Sequence, residues 1–406
     1  MPIRDAVKTS TLSTSWRYKW MSMSTFIFNK TSIPPSFQRR QRNAELVNFV
    51  HNLLIHDDAI SINMFSVRKF LYPCLECDQL IQLLSRKILK RLVLVFKDDS
   101  ESYYQLPDCL FHCEYLKTLE LKSCIMNVPS HEFLGFRHLT RLHLRHVTLT
   151  NQVFESLVAK IPLLNVLKVC WCKTLNGFII HAPNLTCFQL KGTWKRIHFK
   201  HAPNLMRIDI KTWHDSFNKR WCRLDKMILG RLDKLEILVL YHPRMEFFSI
   251  DKAPKRLRNT YPSLASICMA FNIHNLKELL AVLLLFGSSP CLNKLNILFR
   301  VARNGLPVFP CEENFWEDKL RKRVVVFLHL KTIDVTRFSG VQHEVGFIQF
   351  ILLNAIELVT FHIRWGGRTL STITDHEKQH VVDSVLKSRR ASPKVNIIFD
   401  YSGQDL

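Results

Sequence analysis

The sequence predicts an α/β fold, a solenoid in which short parallel strands recur and each is returned by a loop or a helix. Two observations carry this. The pentapeptide His181-Ala182-Pro183-Asn184-Leu185 returns unchanged as His201-Ala202-Pro203-Asn204-Leu205, twenty residues on. Behind each copy stands the same apolar spacing, Leu185, Phe188 and Leu190, then Leu205, Ile208 and Ile210. In this L-x-x-L-x-L pattern the first residue enters from a loop. The next two alternate inward on a short strand while their neighbours face out. One such unit cannot bury its apolar row alone, so units stack and share a core.

Composition permits this and excludes much else. With 406 residues, 47% hydrophobic and 22% charged, the chain has the balance of a globular protein with a large core. The formal net charge of +23 favours acidic partners or nucleic acid and says nothing of the fold. Glycine is scarce at 11 residues, none precedes Gly135, and no GxGxxG or GxxxxGK occurs, which argues against a nucleotide cradle. Twelve cysteines in so long a chain do not make a disulfide scaffold, and the N-terminus lacks an apolar signal core. The longest apolar run, Leu279–Phe286, has eight residues, short of the ~20 that span a bilayer. The expectation is a cytoplasmic or nuclear protein with reduced thiols and no membrane partner.

Residues 1–20 read as two short helices. Pro2 and Asp5 suit a first turn, Ala6, Val7 and Ser10 share a face, and Ser13 or Thr14 can cap a helix carrying Trp16 and Trp20. On spacing alone this is an amphipathic hairpin. Residues 21–42, with Pro34-Pro35 and a basic run, read as a linker. Residues 43–54 place Leu46, Phe49, Val50 and Leu53 at helical spacing, 60–70 alternate as a strand, and 78–88 are helical again. Leu89, Leu92 and Leu94 then open the first L-x-x-L-x-L.

Further copies begin at Leu116, Leu139, Leu164, Leu185, Leu205 and Leu235, with weaker ones at Leu264, Leu292 and Leu330. The starts 116, 139, 164, 185 and 205 are 23, 25, 21 and 20 residues apart, the period of a leucine-rich repeat. Later gaps widen to about thirty, and residues 274–286 supply a helix for one of them. The third, fifth and seventh positions point to the concave face. The seventh reads Lys122, Arg145, Cys170, Lys191, Lys211 and Tyr241; the fifth reads Glu120, His143, Lys168, Gln189, Asp209 and Val239. Lys122, Arg145, Lys168, Lys191 and Lys211 are therefore the candidate target-binding cations, able to grip an acidic or phosphorylated segment by charge-assisted hydrogen bonds. The bland alternative is that outward positions are polar because they are wet.

No constellation for catalysis or metal stands out. Cys74-x2-Cys77 with Cys109-x3-Cys113 has half the look of a zinc site, but both pairs fall inside helix or repeat patterning, where cysteine acts as a small hydrophobe. No nucleophile signature surrounds any serine or cysteine. The expectation is no enzyme, no cofactor and no metal.

Two stretches carry a family resemblance. Residues 2–20, PIRDAVKTSTLSTSWRYKW, resemble the second half of a plant F-box, whose preceding LPxxxxxxILSxLP segment has no counterpart after Met1. Residues 328–400 resemble the FBD domain that follows the repeats in such proteins. The match runs through LHLKTIDVTRFSG, the helix and strand bearing Phe350, Leu352, Leu353, Leu358, Phe361 and Ile363, and RASPKVNIIF with Ala391-Ser392 and Ile397–Phe399; Thr360 and His362 depart from the usual charges. The organisation so read is a partial F-box (1–20), a linker (21–42), a bridge with the first repeat (43–115), leucine-rich repeats (116–327) and an FBD domain continuing the repeat (328–406). The resemblance implies a non-catalytic substrate-recognition subunit of a Skp-cullin-F-box ubiquitin ligase. Pro2, Leu12, Trp16 and Trp20 would face a Skp-type adaptor joined to a cullin, and the repeat face would hold an unknown target. The alternatives are a basic solenoid binding nucleic acid, and a truncated F-box protein that binds targets but recruits no ligase, for which adaptor binding would be weak.

Overall fold

A computed structural model of the chain describes residues 24–29, 44–51 (except 46 and 49), 61–72, 76–97, 103–127, 133–211 (except 134, 173, 193 and 195), 222–223, 232–241, 245–246, 260–300, 316, 325–366 and 374–401. The chain divides into two compact units, Met1–Ala202 and Pro203–Leu406.

The first unit is a parallel ladder. Its strands are β1 (Thr25–Phe28), β2 (Met64–Leu71), β3 (Arg91–Phe96), β4 (Thr118–Lys122), β5 (Arg141–Arg145), β6 (Val166–Cys170) and, after β7 (Gly177–His181), β8 (Cys187–Lys191), lying side by side in that order without β7. The register puts like on like: Leu119 opposes Leu142, Leu142 opposes Leu167, and Leu167 opposes Phe188. All four are fully buried, which is the apolar row the sequence pattern requires. Between strands, helix α1 (Glu76–Ser85) buries Cys77, Leu80, Ile81 and Leu84, an i, i+3, i+4, i+7 stripe. Helix α2 (Asn151–Ala159) is capped by Thr150, whose hydroxyl accepts from the Val153 amide at 3.2 Å.

What returns the chain sets the repeat length. The 25-residue spacing after Leu139 holds α2. The spacings of 21 and 20 hold strands instead, β7 and β9 (Arg196–His201), which pair in a small sheet of their own. A strand covers about 3.3 Å per residue and a helix about 1.5 Å, so a strand crosses the back in fewer residues. The duplicated pentapeptide begins where β7 and β9 end: the His181 and His201 rings stack with centroids 5.4 Å apart, and Ala182 and Ala202 are buried behind them. The residue after each of β4, β5, β6 and β8 adopts the left-handed conformation, Ser123, His146, Trp171 and Gly192 in register. At Gly192 (φ 128°) a side chain would be strained by the backbone angle, and its Cβ would crowd the Trp171 backbone at 3.3 Å.

The second unit repeats the plan. Its strands β10 (Arg207–Lys211), β11 (Ile237–Tyr241), β12 (Ser266–Phe271), β13 (Lys294–Phe299), β14 (Thr332–Phe338), β15 (Thr360–Trp365) and β16 (Asn396–Asp400) are parallel neighbours in that order. The inward row runs Ile208, Leu238, Ile267, Leu295, Ile333, Phe361 and Ile397 without a break into the C-terminal block. Helices α3 (Leu276–Gly287), α4 (Gln342–Asn354) and α5 (Asp375–Leu386) provide returns. In the first turn of α3 the buried carboxylate of Glu278 is paired with Arg300 and accepts the Asn272 amide at 2.8 Å.

Three elements depart from the sequence reading. The segment 21–42, expected to be a linker, contains strand β1, because Phe26 and Phe28 alternate inward and are buried opposite Phe65 and Val67. The helix expected over 78–88 stops at Ser85, and Ile88–Leu89 instead pairs with Ser61–Ile62. Helix α5 stands where the sequence reading placed no element, although Thr374 and Glu377 form the reciprocal capping box that announces it. The helix expected over 43–54 is present at each described position from 44 to 51, with Val47 and Val50 buried; Leu46, Phe49 and Leu53 lie outside the described residues.

Candidate functional site

Inward leucines fix the outward rows. Since β4, β5, β6 and β8 run parallel in register, their outward positions stack as cross-strand neighbours about 4.8 Å apart. One row reads Lys122, Arg145, Cys170, Lys191; the next reads Glu120, His143, Lys168, Gln189; the third reads Thr118, Arg141, Val166, Cys187. Lys122 and Arg145 are direct neighbours. Arg145 and Lys191 flank Cys170, a shorter side chain than either. Lys168 lies one row over. The structure thus brings Lys122, Arg145, Lys168 and Lys191 together on one face, and Arg141 and Arg91, which opposes Thr118, extend it.

The electrostatics of this face are one-sided. Glu120 is the sole acidic side chain in the three rows, and Arg68 neutralises it through two hydrogen bonds of 3.1 and 2.9 Å. Among the described residues no carboxylate pairs with Lys122, Arg145, Lys168 or Lys191. His143 feels the excess: burial first, then Lys168, Arg91 and Arg141 push its pKa down, against the opposing pull of Glu120. The imidazole therefore stays neutral among cations. At the β2–β3 end the same face is closed, with Ser66, Val93 and Val95 buried. The Arg68–Glu120 pair at this end joins a strand outside the repeat pattern to β4, which the spacing does not show.

In the second unit the outward rows have another character. Lys211 lies there with its ammonium 5.4 Å from the Tyr241 ring centroid, and Asp209 and Val239, expected outward and wet, are buried. Further along, Arg364 pairs with Asp334 at 2.9 Å and with Asp400 at 4.0 Å, so acids and bases balance. Pro2, Leu12, Trp16 and Trp20 lie outside the described residues, as does Cys74. Cys77 is buried in α1 with its thiol near the Tyr72 carbonyl at 3.6 Å, and burial raises the thiol pKa of Cys113 to about 12. Among the described residues no three histidine, cysteine or acidic side chains gather as a metal cluster, and no helix is long and apolar enough to cross a membrane.

Comparison with known proteins agrees with this arrangement. The family model described as "FBD-associated F-box protein At5g56370, LRR repeats" matches residues 77–297, which take in most of the first unit's ladder and the second as far as β13. The chain is similar to the F-box/FBD/LRR-repeat protein At1g13570 of Arabidopsis thaliana, 30% identical over 98% of this chain and 94% of that protein. It is also similar to the F-box/FBD/LRR-repeat protein At5g56420 of the same plant, 23% identical over 98% and 95% of the two chains. A stack of leucine-rich repeats running unbroken into a C-terminal block of the same plan, matched along nearly its whole length, belongs to the F-box/FBD/LRR-repeat family of plant proteins.

Proposed function

We propose that the chain is the substrate-recognition subunit of a Skp-cullin-F-box ubiquitin ligase, holding its target on the outward ladder face of the first unit. Such a subunit needs no catalytic group. It raises the effective concentration of target lysines near the conjugating enzyme by tethering. Residues 1–20, with Pro2, Leu12, Trp16 and Trp20, would carry the adaptor contact. The observation that supports the target surface is the in-register cluster of Lys122, Arg145, Lys168 and Lys191 without acidic partners among the described residues. A protein gains nothing in folding stability from such a cluster, since like charges on adjacent strands repel. The test is a pull-down of the full chain with a purified Skp-type adaptor and cullin. Stoichiometric capture supports the reading, and no capture at micromolar concentration overturns it.

The same cations and the net charge of +23 support a second reading, a solenoid that binds nucleic acid. Its signature is an affinity for single- or double-stranded nucleic acid that falls steeply with salt and survives loss of the adaptor contact.

A further inference from the structure

We propose that the occupant of the first unit's ladder face is an extended, aspartate- and glutamate-rich segment of the target protein, lying across β4, β5, β6 and β8 with its carboxylates among Lys122, Arg145, Lys168 and Lys191. This rests on reading that face as the target-holding surface and names the chemistry that it would recognise. Four observations converge. The cations share one face because the strand register stacks them, so they act on a ligand together. The single acid among them, Glu120, is already taken by Arg68. Cys170 separates Arg145 from Lys191, which stand about 9.6 Å apart along the ladder at two strand spacings. An extended polyproline-II segment has three residues per turn and rises about 3.1 Å per residue, so carboxylates three residues apart lie on one side of it about 9 Å apart and fit those two cations. Finally, His143 is held neutral by its surroundings, so the centre of the face offers a polar ring and adds no further charge to the cations around it. The second unit's outward rows, with Arg364 satisfied by Asp334 and Asp400, offer no such excess at that end.

Peptide side chains suit this surface better than a phosphate backbone. The cations form a compact patch four strands wide, closed at one end by buried Ser66, Val93 and Val95, where a nucleic-acid strand would need a continuous track. The test measures fluorescence anisotropy of three labelled probes titrated with the full chain at physiological salt. They are a twelve-residue peptide with aspartate or glutamate at every third position, its asparagine/glutamine counterpart, and a single-stranded DNA of twelve nucleotides. The acidic peptide is expected to bind at least tenfold more tightly than either other probe. Combined Lys122→Glu, Arg145→Glu, Lys168→Glu and Lys191→Glu should abolish that binding, and Glu120→Gln, which releases Arg68 to the face, should strengthen it severalfold. Equal binding of the neutral peptide, tighter binding of the DNA, or no gain from Glu120→Gln overturns the proposal. Adaptor capture is scored separately. If it fails while peptide binding holds, the ligase reading falls and this one stands. If the charge-reversed chain still captures the adaptor but the parent ignores the peptide, only this one falls.

Discussion

The guanidinium of Arg68 on β2 reaches over β3 and closes on the carboxylate of Glu120 on β4, two strands away. By register Arg68 stands beside Val95 and Glu120 beside Val93, so the ion pair runs diagonally across the two valines. It covers outward apolar surface and cancels the one negative charge in the three rows. Because Arg68 is 41% and Glu120 24% exposed, solvent screens the pair. A double-mutant cycle with Arg68→Ala and Glu120→Ala should give a coupling of about 1 kcal/mol at low salt that shrinks toward zero in 1 M salt. A coupling that ignores salt would mean that packing over Val93 and Val95, and not charge, is what the two side chains share.

Leu119 and Leu142 are fully buried and directly opposite one another in the ladder. Leu119→Ala and Leu142→Ala should each cost about 2–5 kcal/mol, as expected for deleting a buried leucine. As neighbours sharing one packed layer, their combined loss should fall short of the sum of the two. Urea melts showing under about 1 kcal/mol for both would mean that the inward row is misassigned.

These two leucines also mark what a sequence alone can reveal. The inward row obeys a local rule, L-x-x-L-x-L, so the ladder strands from β3 to β14 and the outward Lys122, Arg145, Lys168 and Lys191 follow from spacing, while β15 follows from the FBD resemblance. What spacing cannot show is which distant residue closes a row. Arg68 meets Glu120 across 52 positions of sequence, and Asp209 and Val239 are buried by neighbours that no repeat pattern names. Strand β1 is not legible in the sequence for a related reason. Four residues, TFIF, beside prolines and a basic run carry too little pattern to outweigh their surroundings, and only pairing with β2 makes them a strand. Strands β7 and β9 pair with each other outside the ladder, so the L-x-x-L-x-L rule does not mark them.

Ser123 is held at φ 55° directly after β4, and its hydroxyl is buried with no hydrogen-bond partner among the described residues. Left-handed backbone costs a residue with a Cβ roughly 1–2 kcal/mol, and a buried unsatisfied hydroxyl adds to that. Glycine removes both terms and gives back less through the entropy of the unfolded chain. Ser123→Gly should therefore stabilise the first unit by about 1 kcal/mol, a rise of about 2–4 °C in its melting temperature for a unit of that size. A fall in melting temperature would show that the side chain fills space that the turn needs.

Glu344, in the first turn of α4, supplies the last prediction. A single oxygen, Oε2, accepts the Ser339 amide at 2.7 Å, the Ser339 hydroxyl at 3.0 Å and the Gly340 amide at 3.1 Å. These donors favour the charged carboxylate, but the side chain is buried, and burial outweighs them, raising its pKa from 4.5 to about 7. The folded state thus binds a proton that the unfolded state has released between those two values. The resulting stabilisation is complete below about 4.5 and is lost as pH rises through about 7. The Glu344→Gln variant keeps a carbonyl oxygen for the same three donors and cannot ionise. Relative to it, the parent should lose ground steadily from pH 5 to pH 8, by up to roughly 3 kcal/mol at the upper end. Groups common to both proteins, including the nearby His274 and His343, cancel in the difference. Urea unfolding of the two chains across that range decides the matter. Stability curves that stay parallel from pH 5 to pH 8 would show that the Glu344 carboxyl is ionised throughout, with its three donors winning over its burial.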